Sequence, residues 1–421
     1  MQVYKFGGAS IATPERMRAL LPIIDYGKTP LIVVVSAYGK TTNALEAIVN
    51  AANDGKREDA LNKIADLEKA HNDYAAEILS EQGFEDIQIK LNEYYTEMHW
   101  AIDDAGRQSK DYVYDQIVCI GEILSTSIFS AFLNEQGFKN QWLDARDLIR
   151  TDGTYRDPEV DFEFSRKQVQ EKLVPVLEKT GIVITQGFIG STADNNSTTL
   201  GREGSDYSAA MFAAMGGAKS VSIWKDVEGL LNADPKLFPN TVKIEEITYD
   251  EVIEMAYYGA QVIHPKTIKP LQNANIPLHV KCFLDSNLKG TVIQSKTDTF
   301  VYPPLIVLKK EQVLLQITSR DFSFITEENL RNIYNIFYGQ HVKINLIQNA
   351  AISLVVCVDH REEKIKSLVD ELEKDYKVLR NEGVQLLTIR HYTPSIMEEM
   401  TKGRVILLEQ KTRQTVQVVI K

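Results

Sequence analysis

Short apolar runs alternate with longer amphipathic stretches over the first two-thirds of the chain. Residues 3–6, 31–37, 182–187, 220–224 and 278–282 are compact and mostly β-branched. That is the pattern of strands buried on both faces. Residues 14–24, 42–53, a long charged pair over about 57–107, and then 117–135, 165–178 and 206–215 carry helical spacing. The alternation predicts an α/β fold, an open and mostly parallel sheet with helices on both faces. Polar or glycine-rich turns follow the strands: Gly7-Gly8, then Ser36-Ala37-Tyr38-Gly39, then Gly187-Phe188-Ile189-Gly190, then Lys225-Asp226. Ligands of open α/β sheets bind beyond the carboxyl ends of the strands. Together these turns therefore define a candidate site on one sheet edge.

The pattern changes at Pro303-Pro304, the one Pro-Pro pair, which marks a boundary. It divides the chain into a domain over 1–300 and a region over 305–421. The second part reads as strand 313–318, helix 327–338, strands 343–347 and 351–358, and helix 362–375. A shorter echo follows: strand 384–389, helix 394–400, and strands 405–409 and 415–420. This is an α+β pattern with a weak internal repeat whose second copy is clipped.

A length of 421 residues fits two or three domains. The net charge of −11 argues against general nucleic-acid binding, so an anionic ligand needs a local positive site. Cys119, Cys282 and Cys357 lie far apart, with no metal-binding spacing and no even disulfide framework. A reducing cytoplasm is the expected compartment. No basic-then-apolar leader is read at the start, and apolar runs such as 31–35 are too short for a bilayer.

The candidate chemistry begins at Lys5. An unpaired ammonium at the end of a buried strand is costly. Followed by Gly7, Gly8 and Ser10, it suits a clamp on a transferring phosphoryl group, with the glycine turn admitting a polyphosphate to the backbone. Far along the chain, Gly201-Arg202-Glu203-Gly204-Ser205-Asp206 leads into an alanine-rich helix. Ser205 or Asp206 suits its N-cap; Asp206 also suits a partner for Lys5 or for Mg2+. Arg202 suits a carboxylate. Glu122 opens an apolar helix, where most glutamates merely complement the dipole. His264 reads as a packed histidine. No histidine pairs with a nucleophile, and a carboxylate acceptor needs no general base because it is already ionised.

These residues resemble the aspartate kinases of the amino-acid kinase fold, which carry C-terminal ACT regulatory domains. The resemblance runs through KFGGAS (5–10), SAYGKTTN (36–43), GE (121–122), TQGFIG (185–190), TTLGREGSD (198–206), WKDVEGLLNADPK (224–236) and YGAQVIHPKT (258–267). It implies transfer of the ATP γ-phosphoryl group, with Mg2+, to the side-chain carboxylate of L-aspartate. Lys5 would stabilise the moving group and Asp206 would orient Lys5. Arg202 would grip a substrate carboxylate, and Glu122 would face the substrate ammonium. Ser36, Thr42, Phe188 and Ser205 would line the aspartate pocket. Gly7, Gly8, Ser10, Lys225, Asp226, Leu231, Lys236 and Gln261 would surround ATP, and no residue is assigned as a direct metal ligand. Gln261 replaces a common lysine, and Leu231 a frequent aromatic. The resemblance further implies tandem ACT-like domains of βαββαβ type over 305–421, the second shortened, with a homodimer through them and an amino-acid effector. Asn345 is the polar candidate for that effector, or a plain interface residue. Two readings fit fewer features: a kinase of the same fold acting on glutamate or acetylglutamate, and an amino-acid-sensing scaffold, which Gln261 motivates.

Overall fold

A computed structural model describes residues 1–25, 30–260, 263–297, 301–321 and 323–421. They form two compact units. The first comprises Met1–Leu230, Glu245–Ile253 and 263–297; the second comprises Leu231–Ile244, 254–260 and 301–421.

The elements run β1 (Gln2–Phe6), α1 (Pro14–Ala19), α2 (Leu21–Asp25), β2 (Leu31–Val35), α3 (Thr41–Asn53), α4 (Arg57–Ile78), α5 (Glu81–Asp103), α6 (Lys110–Val118) and α7 (Ile120–Glu135). Then come β3 (Gln141–Leu143), α8 (Phe162–Gln168), α9 (Val174–Thr180), β4 (Ile182–Gln186), β5 (Ile189–Ser191), β6 (Ser197–Thr199), α10 (Gly204–Gly216) and β7 (Val221–Lys225). After the short β8 (Leu230–Leu231) and β9 (Lys243–Ile244) follow β10 (Glu246–Thr248), α11 (Tyr249–Tyr258), α12 (Pro265–Ala274), β11 (Leu278–Cys282) and β12 (Thr291–Gln294).

The first unit is built on an eight-stranded sheet in the order β10-β12-β11-β7-β1-β2-β4-β3. It is parallel except at the β11–β12 junction. All five residues of β2 are buried, as a central strand covered on both faces requires. Helix α10 packs on β1, β2 and β7, and α7 on β2, β3 and β4. The helix expected over 14–24 is two helices, because Pro22 lacks the N–H that would continue the ladder. The helix expected over 117–135 starts earlier. Ser109 caps α6 by accepting from the Tyr112 N–H at 3.1 Å. The stretch Lys110–Glu135 is long and apolar enough to cross a bilayer by length and composition, and 89% of its most apolar window is buried inside the fold. A core helix pair explains its apolarity.

The second unit holds β13 (Leu305–Ser319), α13 (Glu327–Gly339), β14 (Ile344–Asn349), β15 (Ser353–Asp359), α14 (Glu362–Leu372), β16 (Tyr376–Arg390), α15 (Pro394–Thr401), β17 (Ile406–Lys411) and β18 (Thr415–Ile420). Its six strands lie in the order β14-β15-β13-β16-β18-β17, with all neighbours antiparallel. Strands β13 and β16 are each 15 residues long and serve both halves. The second half lacks a fourth strand of its own at its end, and Leu305–Lys309, ahead of the first half, pairs in that place with Leu386–Arg390. The register shifts between Lys309 and Leu314, where Glu311 takes φ +52°. One apolar core sets Ile333, Phe337, Ile365 and Leu368 of α13 and α14 against Val313, Leu315 and Val356. A second packs Met397 of α15 against Ile306, Ile389 and Val418.

Candidate active site

Three parallel strands deliver the site. Lys5 and Phe6 end β1, in register with Val34 and Val35 of β2 and with Ile223 and Trp224 of β7. Lys225 ends β7. Asp206, in the first turn of α10, meets both lysines: Lys5 Nζ lies 2.7 Å from its Oδ1 and Lys225 Nζ 3.6 Å from its Oδ2. Burial pushes the Asp206 carboxyl upward, and the two ammonium groups outweigh it, so its pKa falls below the usual carboxylate value. A partly shielded double cation therefore stands at the ends of β1 and β7, tied to one buried anion.

The glycine turn is built for close approach. Gly8 opens a short 3-10 turn, Gly8–Ile11. A Cβ on Gly8 would lie 2.4 Å from the Ala37 carbonyl oxygen, and the Gly8 carbonyl accepts from the Gly39 N–H at 3.0 Å. The first and second strand turns are thus locked together. Likewise a Cβ on Gly187 would lie 2.6 Å from the Ser205 Cβ, and one on Gly204 2.7 Å from Phe188 Cδ2. Phe188 itself sits at φ +73°, its N–H donating to Ser208 Oγ at 2.9 Å. The cap of α10 is Glu203, at φ +55°, whose side chain makes no capping bond to the helix, and neither Ser205 nor Asp206 caps it. Its uncapped first turn is suited to an anion.

These parts line one cleft of about 1030 Å³ in the first unit. Lys5, Gly7, Gly8, Ser10, Ser36, Thr42, Glu122, Phe188, Arg202, Ser205, Asp206, Lys225 and Asp226 all face it. Leu231 and Lys236 belong to the second unit, and Gln261 lies outside the described residues. Arg202 is exposed and carries no ion pair among the described residues. Glu122 is buried; one oxygen accepts the Ala37 N–H at 3.3 Å, and Oε2 has no hydrogen-bond partner among the described residues. Burial pushes its carboxyl up to about 8. A buried carboxylate with a spare oxygen facing a cleft suits a cationic ligand group.

Two further lining residues carried no motif in the sequence. Arg156 and Asp157 come from the loop between β3 and α8, and Asp157 is ion-paired with Lys266 at the start of α12. His264 is half-buried and faces the cleft: its Nδ1 accepts the Lys266 backbone N–H at 3.2 Å, and its backbone N–H donates to Glu203 Oε2 at 2.9 Å. The polar run around Asp152-Gly153 was the available signal for that loop, and it pointed only to a turn. In the second unit, Asn345 is already engaged. Its Oδ1 accepts from Lys309 at 2.8 Å, and its Nδ2 donates to Gln312 and Asp359 at 2.8 Å each.

An open parallel sheet with paired cations at a glycine turn, and a separate carboxylate-and-ammonium grip in the same cleft, defines a phosphotransferase of small acids. Residues 1–282 match the model of the amino acid kinase family, and the chain belongs to that family. Within it, the similar proteins are aspartokinases. The lysine-sensitive aspartokinase 3 of Escherichia coli K12 is 30% identical over 398 residues, covering 92% of this chain and 86% of that protein. Chloroplastic aspartokinase 2 of Arabidopsis thaliana is 28% identical over 402 residues, covering 88% and 70%. Solved structures agree. E. coli aspartokinase III in complex with aspartate and ADP superposes with a TM-score of 0.81 at 27% identity, covering 100% of this chain and 96% of that one. The same enzyme with lysine and aspartate gives 0.83 at 26%, covering 100% and 95%.

Proposed function

We propose that this chain is an aspartate kinase: it transfers the γ-phosphoryl group of ATP to the β-carboxylate of L-aspartate, giving 4-phospho-L-aspartate. That product opens the route to lysine, threonine and methionine. The observation that carries the reading is the Lys5–Asp206–Lys225 cluster, set in one cleft with Arg202 and the spare oxygen of Glu122. Arg202 binds the α-carboxylate, Glu122 the ammonium, and Ser36, Thr42, Phe188 and Ser205 shape the pocket around the side chain. The acceptor carboxylate arrives ionised, so no residue has to remove a proton. Catalysis is alignment and charge neutralisation. Lys5 meets the oxygens of the moving phosphoryl group, and Asp206 keeps that ammonium in place. Gly7, Gly8 and Ser10 admit the phosphates, with Lys225 and Asp226 beside the nucleotide.

Among the described residues no cluster of three or more carboxylate, histidine or cysteine groups converges. Mg2+, brought in with the nucleotide, would supply charge neutralisation at the phosphates, and no residue is assigned as its direct ligand. The catalytic domain is assigned to 1–300 and the tandem ACT-like region to 305–421. Cytoplasmic placement accords with three buried free cysteines. A homodimer through the C-terminal sheet is supported by its edge strand β17, where Ile406 and Leu407 are exposed, and an amino-acid effector remains part of the proposal.

ADP release measured with MgATP against L-aspartate, L-glutamate and acetylglutamate tests the reading. Turnover confined to aspartate is expected. Turnover with another acid, or none from folded protein, overturns it.

A further inference from the structure

Asp115 lies on α6, outside the cleft lining, and is fully buried. A buried carboxylate is expensive unless its oxygens are satisfied. Here three donors satisfy it, and they come from two separate segments. Thr199 gives its Oγ1–H at 2.6 Å and its N–H at 2.9 Å; Arg156 gives its N–H at 2.9 Å. Both donors' residues line the cleft. Arg156 holds φ +71°, a conformation disfavoured for a side chain of its kind, and its guanidinium rests 4.1 Å from the centre of the Tyr114 ring, next to Asp115. Thr199 ends β6, three residues before Arg202. Between them, a Cβ on Gly201 would lie 3.0 Å from Asp157 Oδ1 and 3.1 Å from the Arg156 carbonyl oxygen. The two walls therefore touch, and Asp115 fastens them from behind.

We infer that Asp115 is a positioning residue for the acceptor acid, holding the Thr199–Arg202 segment and the Arg156 loop at the register in which Arg202 meets a substrate carboxylate. The inference rests on the kinase reading above. Helix α6 continues almost directly into α7, which carries Glu122 seven residues later. One helical rod thus sets both ends of the acceptor: Glu122 for the ammonium and, through Asp115, Arg202 for the carboxylate. The fold does not depend on Asp115 alone for this junction. The neighbouring Gln116 exchanges bonds of 2.8 and 3.0 Å with the Ser197 backbone on the same strand.

The test is Asp115→Asn in the full-length protein, with Thr199→Val as a gentler second variant. An asparagine cannot accept from all three donors. Hydrogen bonds to a charged group are strong enough that the KM for aspartate should rise about tenfold, with the KM for ATP unchanged and kcat within about threefold. Thr199→Val should raise it by a smaller factor. A pH profile gives a readout that simple loosening would not move. Burial raises the Asp115 carboxyl to about 6, against the bonds from Thr199 and the Arg156 guanidinium. Its other neighbours, Tyr114, Tyr155 and Cys119, all have pKa values raised by burial and stay neutral there. Glu122 weakens aspartate binding below pH 8 in both proteins. The wild type should weaken further below about pH 6, and Asp115→Asn should lack that second limb. An aspartate KM within twofold of wild type, or equal losses for both substrates, overturns the inference. Aspartate binding by wild type without turnover counts against the kinase reading instead.

Discussion

Two buried carboxylates in one cleft are tuned in opposite directions by their neighbours. Asp206 is held ionised by Lys5 and Lys225 against its burial, whereas at Glu122 burial outweighs the backbone hydrogen bonds and the more modest pull of Lys5, which leaves it near 8. A substrate ammonium would reverse that balance. Aspartate binding at pH 7 should therefore release close to one proton from Glu122, shrinking toward none near pH 9, which calorimetry in buffers of different ionisation enthalpy measures. Glu122→Gln should abolish the release and raise the aspartate KM. Lys5→Ala should lower kcat about a hundredfold or more, the scale of losing one transition-state charge contact; steady-state rates at saturating substrates check it, and near-normal kcat would remove Lys5 from its role. Lys5, Gly7 and Gly8 were legible because their chemistry is local: a cation and two glycines in one turn. Glu122 looked like any first-turn glutamate, and only the resemblance gave it a role. Asp115 left no sign and the Arg156–Asp157 loop only that of a turn, because their partners are dozens of residues away. The Asp157–Lys266 pair alone spans 109 positions.

At the scale of elements, the strand turns work as a set because they are wedged together. A methyl on Gly8 would overlap the Ala37 carbonyl, and the backbone there is already tied to Gly39. Gly8→Ala should cost about 1–3 kcal/mol in stability by overpacking and raise the KM for ATP, as thermal melts and steady-state kinetics would show. An unchanged melt and unchanged KM would mean the turn yields freely. Five strands of the eight-stranded sheet were legible from β-branched runs bounded by turns, with ends shifted by only a residue or two; the short β3, β10 and β12, toward its two edges, were not. Helix boundaries were less legible. Pro22 splits one helix, and Ser109 starts another seven residues before its apolar face becomes continuous. The strand Leu305–Lys309 was missed because its partner, Leu386–Arg390, lies about eighty residues later, and periodicity carries no pairing information.

The whole molecule is two units with different sheet logic. The first is mostly parallel and covered by helices; the second is antiparallel and ends in open edges. Exposed apolar residues on β17 would be a liability in a lone chain. Light scattering should give a mass twice that of the chain, and Ile406→Ser with Leu407→Ser should shift it toward the single chain if that edge is the interface; a wild-type monomer would contradict the dimer. One Pro-Pro pair and a change of pattern suggested a division after residue 300; that the second unit also takes in Leu231–Ile244 and 254–260, and that β13 and β16 serve both halves, was not legible. Chemistry decides the rest most directly. Incubated with MgATP, L-aspartate and hydroxylamine, the wild-type protein should yield aspartyl hydroxamate in step with ADP, and Lys5→Ala should yield almost none. ADP without hydroxamate, or equal hydroxamate from the variant, would contradict phosphoryl transfer to the side-chain carboxylate under the control of Lys5.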